Sequence, residues 1–502
     1  MSSSAPPPSP LAALTPGRQR LLLAAVMSGL LLAMLDQTIV GTALPRIVEQ
    51  LDGESLYVWA LTAYLVPATV TLPLYARLSD RYGRRALLLV GMTLFLLGSI
   101  VAGISPSMEQ LILGRAIQGL GAGALEALPF VLVADLYAGR RSAALQGLLA
   151  GLMGFSVIAG PLVGGFLTDH VGWRMVFYVN LPVGIAAMVA VAAVLPAWVG
   201  RNEHRETPLD LAGIALLTVG LGVLLIGLGE RAHPGADGAL PTWFEPQTGG
   251  LIAIGLAVLA GLVAVERRAV APIVPPALFT RRRTAVLLVV ASTGGFALYA
   301  GVLLLPRYFQ LVRDVSATHS GLLIYPLLLG MMVSVNVGAV MIMRRLEFRR
   351  VLIAGCGLIA LGAIGFATFD AGTPDALALL YMALIGFGVG PVFSGTQIAM
   401  QRSVAPSEVG GATGTLLLFR QVGGAVALAA AETIYSGRLH GGGADAAAHA
   451  TGTGVFVLAL TGAALAAIAL LSLPRGGARF PAPPPASAAP TAVPAQETPV
   501  QT

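Results

Sequence analysis

The chain has 502 residues, of which 56% are hydrophobic and only 11% charged, and its formal charge is +6. So little charge cannot cover a soluble globule of this size, so a lipid bilayer must be its solvent. All 30 basic residues are arginine, most of them in short loops, a pattern that sets membrane topology rather than binding nucleic acid, and the single cysteine, Cys356, excludes a disulfide framework and a thiolate metal cluster. Residues 1–19 are rich in Pro and Ser and read as a disordered cytoplasmic segment. The apolar run after Arg18 and Arg20 is too long for a signal-peptide core and has no convincing small-residue cleavage site, so it reads as a retained first span. Stretches of about 20 apolar residues, enough to cross a ~30 Å hydrocarbon core as helix, fall at 20–44, 57–77, 86–104, 110–134, 143–167 and 176–196. A second group falls at 209–229, 248–265, 284–305, 317–343, 351–369, 375–399, 412–436 and 451–473. The expectation is an all-α polytopic membrane protein with 14 transmembrane helices and a disordered, Pro- and Ala-rich cytoplasmic tail over 474–502.

Arginine placement orients these spans. With the N-terminus inside, Arg46, Arg174, Arg231, Arg307, Arg313 and Arg438 fall outside, Arg115 and Arg420 fall within the membrane, and the other 22 of the 30 lie on cytoplasmic segments. One span more or fewer would turn Arg281-Arg282-Arg283 and Arg344-Arg345 outward, so the count is even and both termini are expected in the cytoplasm.

The first span carries Leu35-Asp36-Gln37-Thr38-Ile39-Val40, with Asp36 placed ~12 Å below the outer boundary. Between the second and third spans, Ala76-Arg77-Leu78-Ser79-Asp80-Arg81-Tyr82-Gly83-Arg84-Arg85 embeds one carboxylate among arginines, and Gly83 permits a tight turn. Asp80 can there pair with Arg84 or Arg81 and clip helix ends together. The fourth span carries Arg115-Ala116-Ile117-Gln118-Gly119-Leu120-Gly121-Ala122-Gly123. Its Arg115 lies ~8 Å below the same boundary as Asp36, a difference an arginine side chain bridges. Glu126 follows Arg115 by three helical turns on nearly the same face. The fifth span reads Gly154-Phe155-Ser156-Val157-Ile158-Ala159-Gly160-Pro161-Leu162-Val163-Gly164-Gly165, with glycines spaced for close packing and a proline that builds in a bend. Trp173 to Gly184 follows, and later come Pro306-Arg307-Tyr308-Phe309-Gln310, Gly386-Phe387-Gly388-Val389-Gly390-Pro391 and Phe419-Arg420-Gln421-Val422-Gly423-Gly424.

The 76–85 loop resembles the signature loop of the major facilitator superfamily, Gly-x-Leu-x-Asp-Arg-x-Gly-Arg-Arg, with Ala76 at the first glycine. The fifth span resembles the motif that marks antiporters within that superfamily, with Ser156 at its first glycine. Together with the Asp36 segment, the Trp173–Gly184 segment and fourteen spans, the chain from about 20 to 473 resembles the fourteen-helix drug:proton antiporter branch. That resemblance implies a six-helix bundle over 20–196, two inserted helices over 209–265 and a second six-helix bundle over 284–473. It implies proton-coupled export of hydrophobic, amphipathic or cationic small molecules across the bacterial inner membrane by alternating access. The expected partners are substrate, protons and lipid, with no cofactor beyond the proton gradient, no metal and a monomeric state. A proton-driven uptake carrier, or an exporter of an endogenous metabolite or lipid, stays open within the same superfamily.

Site expectations follow from chemistry inside the spans. There is no lysine, and all six histidines are read into loops, so a Schiff base, a zinc helix and an intramembrane histidine relay are excluded and carboxylates must carry any proton. Burial and a neighbouring arginine pull a carboxylate's proton affinity in opposite directions, which suits a group that loads and releases protons. Asp36, Glu126 and Arg115 are therefore assigned to proton coupling, with Glu432 nearer the external end of span thirteen as a further acid. Asp80, Arg81, Gly83, Arg84 and Asp135 are assigned to a conformational switch, and Gly160, Pro161, Gly164 and Gly165 to helix bending. Gln37, Tyr64, Gln118, Phe155, Phe296, Tyr299, Tyr325, Asn336 and Arg420 are the candidate lining of a substrate cavity. The spans offer no reactive constellation for an enzyme and no repeated polar ring for a channel.

Overall fold

A computed structural model describes residues 15–137, 139–196, 210–230, 245–269, 275–345, 348–405, 408–439 and 443–474. Most of the two expected disordered ends, and Leu346 and Glu347 of the 344–350 loop, lie outside them. Among the described residues every regular element is helical. The helices are α1 (Pro16–Leu51), α2 (Tyr57–Tyr82), α3 (Arg84–Gly103), α4 (Met108–Leu136), α5 (Gly139–His170), α6 (Met175–Tyr178 continuing as Asn180–Val194), α7 (Leu211–Glu230) and α8 (Pro246–Gly250 continuing as Leu251–Glu266). Then come α9 (Arg282–Thr293, interrupted at Gly294 and Gly295 and resuming as Phe296–Leu311), α10 (Ala317–Leu323 continuing as Tyr325–Arg345), α11 (Phe348–Gly365), α12 (Asp375–Gln401), α13 (Val409–Arg438) and α14 (Ala444–Leu471). Thirteen of them are long and apolar enough to cross a bilayer. The fourteenth expected span coincides with α2, whose apolar stretch among the described residues is the shorter Trp59–Leu72.

Helices outrun the apolar windows because a helix does not end where the lipid does. α1 continues past residue 44 through Pro45 to Leu51, with Arg46 and Glu49 paired at 2.9 Å on its exposed last turns, and it stops where Asp52 turns left-handed at φ 48°. The same overrun corrects the histidine expectation at His170 and His449, which sit in helical turns of α5 and α14 rather than in loops, while His319 lies in the first turn of α10, inside the 317–343 stretch itself. His204, His233 and His440 lie outside the described residues.

Small residues set the packing. Gly91 and Gly98 of α3 meet the α4 backbone at Gly121 and Gly114, and Gly119 of α4 meets the backbone of Tyr64 in α2, so α2 and α3 close on the polar stretch of α4. The extensive contacts of the first six helices, α2 with α4, α3 with α4 and α1 with α5, recur in the last six as α10 with α12, α11 with α12 and α9 with α13. Between them α7 and α8 pack on each other, and α7 lies against both α2 and α13, where Leu217 and Leu221 join Val70, Leu262 and Leu418 in one apolar cluster.

Alternation of helix direction places both ends of the described chain on one side, here the proximal end. The two halves interlock at the opposite, distal end. A Cβ on Gly165 of α5 would stand 2.5 Å from the Ala317 carbonyl oxygen, and one on Gly321 of α10 would stand 2.5 Å from the Pro161 carbonyl oxygen. Only glycine permits that approach on both helices.

Candidate functional site

Asp36 of α1 is fully buried and pairs with Arg115 of α4, itself fully buried. The rest of the arrangement satisfies both charges. Gln118 accepts from Arg115 Nη1 at 2.9 Å and donates to Asp36 Oδ1 at 3.0 Å and to Ser99 Oγ at 2.8 Å. Asn180 of α6 donates to the same Asp36 oxygen at 2.9 Å and to Ser99 at 3.3 Å. Arg115 Nε donates to the Ala60 carbonyl at 3.1 Å, and its guanidinium lies 4.3 Å from the Tyr64 ring centroid. The Tyr64 hydroxyl donates in turn to the Ala33 carbonyl at 2.9 Å. Helices α1, α2, α3, α4 and α6 thus converge on one carboxylate. A buried ion pair is tolerated when its donors and acceptors find partners, and here both Asp36 oxygens accept while Arg115 donates through Nε and Nη1.

Three turns along α4, Glu126 is buried at 6% exposure and its Oε1 has no hydrogen-bond partner. Tyr299 donates to Gln421 Oε1 at 3.2 Å, and the neighbouring Arg420 of α13 donates to the Phe393 carbonyl at 3.3 Å with its guanidinium 4.3 Å from that ring.

At the proximal end Arg84 leaves the α2–α3 turn, where Gly83 has φ 92°, and donates to Asp135 Oδ2 of α4 at 2.8 Å and to Ser79. At the distal end Arg307 of α9 is buried between the rings of Tyr57 and Tyr435, 4.4 and 4.0 Å from their centroids. Its guanidinium pairs with Glu432 of α13 at 3.1 Å and with Glu54, before α2, in the other half. At the same end Asp169 of α5 accepts from the backbone N–H groups of Ala317 at 3.1 Å and Thr318 at 2.7 Å, capping the start of α10 across the halves.

The family model for the Major Facilitator Superfamily matches residues 26–428. The chain belongs to that superfamily. Among its relatives are the multidrug transporter protein MdtP of Bacillus subtilis, 33% identical over 403 residues that cover 80% of this chain and 73% of that one, and multidrug resistance protein 3 of the same organism, 29% identical over 398 residues, 79% and 76% of the two chains. Solved structures of like fold include a variant of the peptide transporter POT, with a TM-score of 0.65, 16% identity and 91% of this chain against 94% of that one, and the nucleoside transporter NupG, with 0.60, 13%, 92% and 100%. This facilitator is a multi-pass membrane transporter rather than an enzyme.

The expected contact of Asp36 with Arg115 is present, but several other expectations shift. Asp80 lies in the last turn of α2, its side chain outside those described, and the Arg84 partners that are described are Asp135 and Ser79. Arg81 instead lies 5.7 Å from the Tyr82 ring centroid. Tyr64 and Gln118 belong to the Asp36 network rather than to an open cavity wall, because each is fully buried with its polar atoms committed. Phe296 packs beside Gly462 of α14, inside its own half, and Asn336 is exposed and donates to the Met332 carbonyl one turn back. Tyr325 is half-buried and Phe155 exposed, and Gln37 has an amide nitrogen without a hydrogen-bond partner. Gly160 meets Thr38, and Gly164 meets Ile39 and Thr42, so these two glycines seat α5 on α1 while Gly165 seats it on α10. A cleft of about 360 Å³ at the distal end, lined in part by Arg46, Gln50, Asp169 and Trp173, holds none of the expected site residues.

Sequence reasoning missed Ser99, Asn180 and Arg307. Asn180 carried a usable signal, an amide in an otherwise apolar span. Arg307 was expected in an external loop after Pro306, whereas α9 runs on through Pro306 to Leu311 and buries it.

Proposed function

We propose that this facilitator exports hydrophobic and amphipathic small molecules, drugs among them, in exchange for protons, by alternating access across the bacterial inner membrane, as a monomer with its proximal end in the cytoplasm. The observation that carries the reading is the enclosed Asp36 carboxylate, whose positive partner and both amide donors come from helices other than its own. A proton on Asp36 cancels the charge that Arg115, Gln118 and Asn180 hold, and so loosens α1 from α4 and α6. α1 also carries Ile39 and Thr42, on which Gly164 of α5 rests, and the Thr42 carbonyl accepts from Gln310 of the other half at 3.0 Å. One helix thus touches both the proton site and the distal contact between halves, so protonation can favour one orientation over the other. Relatives named for multidrug transport and resistance support the substrate class, and the arginine distribution supports the orientation.

Purified protein in liposomes, with the membrane potential clamped at zero and a permanently charged lipophilic cation as substrate, tests the reading. An acidic lumen should drive accumulation, since protons leaving exchange for substrate entering. Accumulation only with an alkaline lumen would make the protein an uptake symporter, and accumulation indifferent to the gradient would remove proton coupling altogether.

A further inference from the structure

The inward bias of arginine leaves a minority at the distal end, and several of these have carboxylate partners. Arg307 is matched by Glu432 and Glu54, Arg313 pairs with Asp375 at 3.3 Å, and Arg46 holds Glu49 in an exposed pair. Arg174 forms no ion pair among the described residues, yet it is held in place. Its Nη2 donates to the Ser105 carbonyl at 3.1 Å, and its guanidinium lies 4.2 Å from the Trp173 ring centroid. Trp173 is itself buried, with its indole N–H donating to Gln50 Oε1 at 2.8 Å.

The distal cleft of about 360 Å³ is lined by Arg46 and Gln50 from the end of α1 and by Asp169, Val171, Trp173 and Arg174 from the turn between α5 and α6. Its volume falls within the ~300–1,000 Å³ of small-molecule sites. The one carboxylate among its lining residues, Asp169, already accepts from two backbone N–H groups and the Thr318 hydroxyl, and two guanidiniums outweigh it. Arg46 and Asp169 each follow by two residues the apolar windows that end at 44 and 167, so the wall begins ~3 Å above the hydrocarbon boundary, at the level of lipid headgroups. Below it the surface turns apolar: Val171 is exposed on the cleft wall, and Phe166 and Leu162 are exposed on the last turns of α5.

We infer that this cleft binds the headgroup of an anionic phospholipid, with the phosphodiester between Arg46 and Arg174 and the acyl chains along Val171, Phe166 and Leu162. An exposed ion pair is weak, so Arg46 readily exchanges Glu49 for phosphate oxygens, which a guanidinium meets in bidentate geometry. A zwitterionic headgroup brings a cation to a cleft that already carries an excess of positive charge, and a free phosphate has no chains to lay on the apolar surface. The bound lipid ties the end of α1, the helix of Asp36, to the turn that leads into Asn180 of α6. In the orientation proposed above it belongs to the outer leaflet, but the binding itself does not depend on that orientation.

Lipid titration onto the full-length protein in detergent, read by native mass spectrometry, tests the site. The probes are phosphatidylglycerol and phosphatidylcholine with identical chains, and inorganic phosphate as a soluble competitor. The wild-type protein should bind its first phosphatidylglycerol about tenfold more tightly than phosphatidylcholine. Arg46→Gln combined with Arg174→Gln should remove that preference. Gln50→Glu keeps an acceptor for Trp173 while adding a negative charge to the cleft, and should weaken phosphatidylglycerol about tenfold and leave phosphatidylcholine unchanged. Arg281→Gln combined with Arg282→Gln, at the proximal end, should leave this first site as it is. Equal affinity of the wild-type protein for the two lipids, wild-type affinity in Gln50→Glu, or an equal loss in the proximal variant would overturn the inference. Displacement of the lipid by millimolar inorganic phosphate would make the cleft a soluble-anion site and overturn the lipid assignment. Because Gln50→Glu preserves the local hydrogen bond, it decides even where the double arginine variant fails to fold.

Discussion

Asp36 and Arg115 meet inside one half of the molecule, with every further partner supplied by α1, α2, α3, α4 or α6, whereas Arg307 at the distal end is divided between Glu432 of its own half and Glu54 of the other. The first pair is wholly enclosed; in the second, Glu54 keeps 60% of its side chain in contact with solvent. In the proposed alternating-access cycle a pair enclosed in one half travels with it as the halves rock, and only a change in its own charge can alter it. A pair that crosses the boundary must break and re-form in each cycle, so an exposed, well-solvated partner keeps that exchange shallow. The enclosed site is suited to sensing a proton, and the crossing contacts to holding one orientation.

Breaking the enclosed pair should have the largest effect. Arg115→Ala strands a buried carboxylate at a cost of about 3–5 kcal/mol, so thermal unfolding in detergent should show a large loss of melting temperature, while Asp36→Asn strands the Arg115 guanidinium in turn but keeps an oxygen to accept from Gln118 and Asn180, and should show a smaller one. Equal losses would mean that packing, not charge, holds the site.

Next come the crossing contacts. Gly165→Val places side-chain carbon against the Ala317 carbonyl and forces α5 from α10, an overpacking penalty of about 1–3 kcal/mol that falls on the distal-closed state. Spin labels on Ile104→Cys and Ala371→Cys, in a Cys356→Ser background, should report a longer distal distance. An unchanged distance distribution would contradict the clasp. Asp169→Ala removes a cap shared between halves, worth about 0.5–2 kcal/mol, and should shift the same distribution by less. Glu54→Gln should be the mildest, within about 0.5 kcal/mol, because its carboxylate is already largely solvated.

The membrane-spanning helices were legible because lipid punishes charge so steeply that apolar windows stand out. Depth along a helix was legible too, which is why Asp36 and Arg115 could be brought level. Facing was not. Nothing in sequence spacing said that Asn180 and Ser99 turn toward Asp36, or that Phe296 turns toward α14, because the spans are apolar on every side and carry no amphipathic stripe to read. Arg307 escaped for a related reason: an arginine after a proline looks like a loop until two tyrosines and a glutamate from distant segments enclose it. In the proximal turn one acid, Asp80, lies among four arginines, and only three dimensions bring in the distant Asp135 as a partner for Arg84.

The most direct test of the account compares uphill export with equilibrium exchange in Asp36→Asn, reconstituted beside the wild-type protein at saturating substrate. Gradient-driven accumulation should disappear while substrate binding and downhill exchange persist, because the variant mimics a permanently protonated site. Full gradient-driven export by Asp36→Asn, with Glu126→Gln losing it under the same conditions, would contradict the account and move the coupling role to α4.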